Sequence, residues 1–125
     1  MFKILILIGT GSFFGGISRY LVSRLVQNTL LSAFPWGTFT VNIVGSFLIG
    51  VIYGISERSD MMSPGMRMFL TVGFCGGFTT FSTFANENLS LLKEGDLLYF
   101  SLYAGLSVFL GILAVYLGNL LIKTI

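Results

Sequence analysis

Residues 76–84 of this 125-residue chain hold the densest run of groups suited to handling an ion: Gly76, Gly77, Phe78, Thr79, Thr80, Phe81, Ser82, Thr83 and Phe84. Phe81 and Phe84 are three apart, so on a helix they share a face. Thr80, Thr83 and Glu87 make a polar stripe at i, i+3 and i+7. Aromatic rings have electropositive edges. Two such edges beside hydroxyl donors could hold a small anion without a full positive charge, which would bind it too tightly for release. The paired glycines and threonines also predict an interrupted helix. Freed carbonyls would suit a hard cation such as Na⁺, and freed N–H groups at the start of a half-helix would suit an anion. The plainer reading of the phenylalanine pair is packing against protein or lipid.

Other polar residues sit in apolar surroundings. Asn42 and Ser46 are four apart and share a face, and the amide is either a ligand for an ion or an interhelical hydrogen bond. Tyr103 and Ser107 align at the same spacing, with Gly111 next in the row. Arg19 either snorkels to the membrane interface or lines an aqueous vestibule that attracts an anion. Much other chemistry is excluded. With no His there is no histidine base and no His-ligated metal, and with one Cys, Cys75, there is no intrachain disulfide and no cysteine metal cluster. No nucleophile–base pair is visible, which argues against an enzyme. A net charge of +2, scattered along the chain, argues against nucleic-acid binding.

The elements that must position these residues are membrane helices. Hydrophobic residues make up 54% of the chain and charged residues only 10%, against about 25% charge in a soluble domain. The expected fold class is an all-α membrane protein, one four-helix domain over residues 1–125, with spans at 4–26, 36–55, 67–92 and 97–122. The first span reads as a retained helix and not a cleaved signal, since no clean cleavage site follows it. Pro35-Trp36 opens the second, while Pro64-Gly65 reads as a turn in the loop before the third. The third span would measure about 39 Å as one unbroken helix, more than the roughly 30 Å hydrocarbon core, and a break is expected near 76–80. Small residues recur four apart, as in Gly11/Gly15, Ser46/Gly50/Gly54 and Ala114/Gly118, which lets helix backbones approach. Four Lys/Arg side chains (Lys3, Arg58, Arg67, Lys123) fall on one side of the membrane and three (Arg19, Arg24, Lys93) on the other. This near balance is compatible with dual topology.

Taken together, the chain resembles the Fluc (CrcB-like) fluoride channel family over essentially its whole length. The matching residues are Gly15-Gly16-x-x-Arg19-Tyr20, Gly37-Thr38-x-x-x-Asn42-x-x-Gly45-Ser46-Phe47, and, most specifically, 73–84 followed by Glu87. The resemblance implies an antiparallel, dual-topology homodimer in the cell (inner) membrane. It would conduct fluoride passively through two pores and so relieve fluoride toxicity. It further implies a broken third helix and a structural Na⁺ held by the backbone carbonyls of Gly76 and Thr79. Phe81 and Phe84 would be pore rings, Asn42 would line the same path, and Thr80, Thr83, Tyr103 and Ser107 would supply hydroxyls. Arg19 would lie near a vestibule and Glu87 near a pore end. Gly111 departs from the family, whose members often carry a further hydroxyl there. The competing readings are a small proton-coupled four-helix exporter, for which Glu87 is the only deep carboxylate, and a non-transporting membrane assembly subunit.

Overall fold

The computed structural model describes residues 1–125, and every regular element in it is helical: α1 (Phe2–Leu30), α2 (Trp36–Arg58), α3 (Pro64–Met68), a π-helical segment (Phe69–Cys75), α4 (Gly76–Phe78), α5 (Phe81–Lys93) and α6 (Leu97–Thr124). Four helical stretches are long and apolar enough to cross a membrane: Phe2–Leu30, Trp36–Arg58, Pro64–Lys93 and Leu97–Thr124. Only 19 of 125 residues are buried. The chain therefore turns most of its apolar surface outward, as a protein solvated by lipid or by a further chain must.

The connections are fixed by local chemistry. Helix α1 ends at Leu31, whose backbone is left-handed (φ 41, ψ 56) and whose N–H bonds to the Gln27 carbonyl. The Gln27 side chain holds the turn that follows. Its Nε2 donates to the carbonyls of Ser32 (2.9 Å) and Phe34 (3.1 Å), and its Oε1 accepts from the Gly37 N–H (3.0 Å) in the first turn of α2. Pro64 is not in a turn but is the first residue of α3, because Ser63 caps that helix by accepting from the Met66 N–H at 3.1 Å and proline suits the first helical position. Gly95, at φ +74, makes the one left-handed glycine turn, and Asp96 then caps α6 through the Tyr99 N–H at 3.1 Å.

Spans that run in the same direction pack most closely. A Cβ on Gly11 would lie 2.9 Å from the Gly73 Cα, and one on Gly15 would lie 3.0 Å from the Phe78 nitrogen. Helix α1 is thus pressed backbone to backbone on the third span. On the other side, Gly50 faces Val115, Gly118 faces Phe47 and Val51, and Gly54 faces Ile122, which sets α2 parallel to α6. The two pairs meet where Gly37 lies against Ser23 and where Gly45 admits the methyl group of Thr79. An aromatic cluster closes the end of the bundle near the α1–α2 turn: Phe34 lies 4.5 Å from Trp36 and 5.4 Å from Tyr103, and Tyr103 lies 4.9 Å from Phe84.

Candidate functional site: the Thr79–Thr80 interruption and its cavity

Between α4 and α5 the backbone is extended at two residues, Thr79 (φ −94, ψ 160) and Thr80 (φ −151, ψ 123). Gly76 and Gly77 are not part of this stretch. Gly76 is helical, at φ −62 and ψ −39. Neither glycine has a positive φ, and only Gly77 serves close packing: a Cβ there would lie 2.8 Å from the Ser12 carbonyl oxygen, whereas one on Gly76 would meet only the Thr71 carbonyl oxygen, at 3.7 Å.

The backbone groups released here find specific partners, as they must away from water. Asn42 of α2 answers Thr80 twice: its Oδ1 accepts from the Thr80 N–H at 2.8 Å, and its Nδ2 donates to the Thr80 carbonyl at 3.1 Å. The Cys75 carbonyl accepts from both the N–H (3.0 Å) and the hydroxyl (2.9 Å) of Thr79. The Gly77 carbonyl accepts from Arg19 Nε at 3.0 Å. The Thr80 hydroxyl caps α5 by accepting from the Thr83 N–H at 3.3 Å. The carbonyls of Gly76 and Thr79 accept none of these bonds, and both residues line the adjoining cavity.

That cavity measures about 340 Å³. Asn42, Ser46, Thr71, Thr79, Thr80 and Ser107 supply its polar side chains, with Phe81 and Phe84 beside them. The two rings stand 5.8 Å apart. Phe81 is 77% exposed on the single chain, so its own subunit does not pack it. The Ser107 hydroxyl is buried and has no hydrogen-bond partner.

The remaining candidate residues lie elsewhere. Glu87 is held by two hydroxyls, Thr38 at 3.0 Å and Tyr103 at 2.8 Å. This trio joins α2, α5 and α6 through Tyr103 of the aromatic cluster, and Tyr103 is not in the lining of the larger cavity. Glu87 also borders a second cavity of about 220 Å³ together with Gln27 and Glu94. Arg19 is half-buried and reaches the interruption from α1. Thr83 is half-buried and outside the lining of the larger cavity. Sequence reasoning missed Thr38 and Gln27 as site-shaping residues. Thr38 was within reach, because it stands four before Asn42 in the same row as Ser46. Nothing local marks Gln27, whose partners lie in an irregular turn.

Comparison with known proteins shows which family the sequence falls in. Residues 6–119 match the family described as CrcB-like protein, Camphor Resistance (CrcB). The chain is 52% identical over 122 residues to the fluoride-specific ion channel FluC of Bacteroides fragilis, covering 95% of each chain. It is 47% identical over 121 residues to the protein of the same name from Leptospira interrogans, covering 97% of this chain and 95% of the relative. It is 40% identical over 121 residues to that from Flavobacterium psychrophilum, covering 97% and 98%.

Proposed function

Because this chain belongs to the CrcB-like family, we propose that it carries fluoride passively across the membrane, rejects chloride, and so lets the cell shed the anion. It is a multi-pass membrane protein and a channel, not an enzyme. The observation that carries the reading is the wall of the larger cavity: Asn42, Thr80 and Ser107 stand beside Phe81 and Phe84, and no charged side chain lines it. Fluoride is small and strongly hydrated, so a path must replace its water with close, weak donors. The unpartnered Ser107 hydroxyl, the second amide hydrogen of Asn42 and the positive ring edges are donors of that kind. Chloride is larger and would fit a narrow path poorly.

The exposed Phe81 ring calls for a second wall. In our reading this is a second copy of the chain inserted the opposite way up, which the near balance of Lys and Arg favours. The interruption in the third span would lie at the contact between copies. The Gly76 and Thr79 carbonyls, left out of the local hydrogen bonding, fit a structural Na⁺, a hard cation that neutral oxygens suit. Bound there, it would hold the two copies together by electrostatic attraction. Arg19 and Asn42 brace the interruption from α1 and α2, and Glu87 anchors the end of the path near Tyr103.

The test is fluoride efflux from liposomes containing only this protein, with chloride as the control. One arm keeps Na⁺ and a second replaces it by a large organic cation over a long equilibration. Fluoride should leave while chloride stays, and flux should fall once Na⁺ is depleted. Equal efflux of the two anions would overturn the selectivity reading. Unchanged fluoride flux under verified Na⁺ depletion would overturn the bound ion alone.

A further inference from the structure

We infer that Ser46 is a further ligand for the conducted anion, and that it continues on α2 the row of hydroxyls that stops on α6 at Gly111. The inference rests on the channel reading above and extends it to a residue on a different helix. The α6 row runs Tyr103, Ser107, Gly111 at four-residue spacing, so its third position has no side chain. The space is not idle. A Cβ on Gly111 would stand 3.7 Å from the Ser46 Oγ, so the Ser46 hydroxyl lies in van der Waals reach of any side chain at 111. The placement is rigid, because Gly50 against Val115 and Gly118 against Phe47 hold α2 and α6 at backbone contact beside this point.

Ser46 and Ser107 line the same cavity with Asn42, Phe81 and Phe84. The α6 row offers this cavity only one free hydroxyl, since Tyr103 donates to Glu87 at 2.8 Å. Ser107 has no partner and is ready to donate. Ser46 is half-buried and donates to the Asn42 carbonyl at 2.7 Å. That bond runs to the i−4 position within its own helix, a carbonyl that regular helical bonding already serves. Breaking it leaves no group unsatisfied. A hydrogen bond to an ion is roughly twice as strong as one between neutral groups, so an arriving anion draws the Ser46 proton into the cavity, and the proton swings back when the ion leaves. Ser107 is thus a standing donor and Ser46 a releasable one.

The experiment compares fluoride efflux from liposomes for wild type, Ser46→Ala, and Ser46→Ala combined with Gly111→Ser. Ser46→Ala should slow fluoride efflux roughly tenfold, the loss of about one hydrogen bond to an ion. Gly111→Ser should recover much of it, because its hydroxyl enters the space the Ser46 hydroxyl left. If the alanine variant does not assemble, Ser46→Cys keeps the volume and offers only a weak donor, and should be slowed as well. Wild-type flux in Ser46→Ala overturns the inference and leaves the channel reading intact. A loss that Gly111→Ser does not recover assigns Ser46 a packing role and overturns it too. Absence of fluoride efflux from the wild type overturns the channel reading and this inference together.

Discussion

Thr80 leaves the helix with both of its backbone groups facing a membrane interior, where bulk water is not at hand, and a single side chain takes both. Asn42 is suited to this because an amide carries a donor and an acceptor side by side. Asn42→Ala removes the partner of a half-buried N–H and a half-buried C=O, so the subunit should lose roughly 1–3 kcal/mol of stability. Thermal unfolding in detergent would show this against Asn86→Ala, an exposed position on α5 expected to change stability by no more than about 0.5 kcal/mol. Equal unfolding temperatures for the two variants would mean that the clamp contributes nothing. Asn42 and Ser46 were legible beforehand as a polar pair at helical spacing in an apolar span, whereas Thr38, one turn earlier in the same row, was passed over. Their partners were not legible. The bond from Arg19 to Gly77 joins residues 58 apart and that from Asn42 to Thr80 joins residues 38 apart, and no spacing rule reaches across separate helices.

At the scale of elements, the third span shows what composition conveys and what it does not. Its apolar length and its glycines are plain in the sequence. The π-helical stretch Phe69–Cys75 is not, nor is the choice of Thr79 and Thr80 as the extended residues. Both follow from what neighbouring helices offer: Gly11 and Gly15 make room on one side, and Asn42 and Gly45 receive the threonines on the other. The two adjacent glycines therefore separate in a substitution experiment. A Cβ on Gly77 would meet the Ser12 carbonyl oxygen at 2.8 Å and the Gly16 nitrogen at 3.1 Å, whereas one on Gly76 meets only the Thr71 carbonyl oxygen at 3.7 Å. Gly77→Ala should push α1 off the third span and cost roughly 1–3 kcal/mol. Gly76→Ala should leave the subunit's unfolding temperature unchanged, and any loss of assembled protein on size-exclusion chromatography then reports on contact between copies. Equal destabilisation of the subunit by both substitutions would contradict this packing.

At the scale of the whole molecule, the proposed assembly makes a claim about orientation. Met61, in the loop between α2 and α3, is 89% exposed and offers a site for a single cysteine in a Cys75→Ala background. If the chain inserts both ways, Met61→Cys should react in part with an impermeant reagent applied to intact cells and in part with the same reagent applied to inverted membrane vesicles. Labelling from one face only would exclude dual insertion. The close pairing of same-direction spans also bears on how the protein is made. Span one is locked to span three, and span two to span four, so a nascent chain that has delivered only its first hairpin holds half of each pair. Arg19 and Asn42 are then in the bilayer or its insertion machinery without the carbonyls and N–H that later satisfy them, and only the Gln27 staple and the Gly37–Ser23 crossing are complete. Biogenesis is therefore committed late: the ribosome must emit the third span before the first gains its closest neighbour, and the last before the second does.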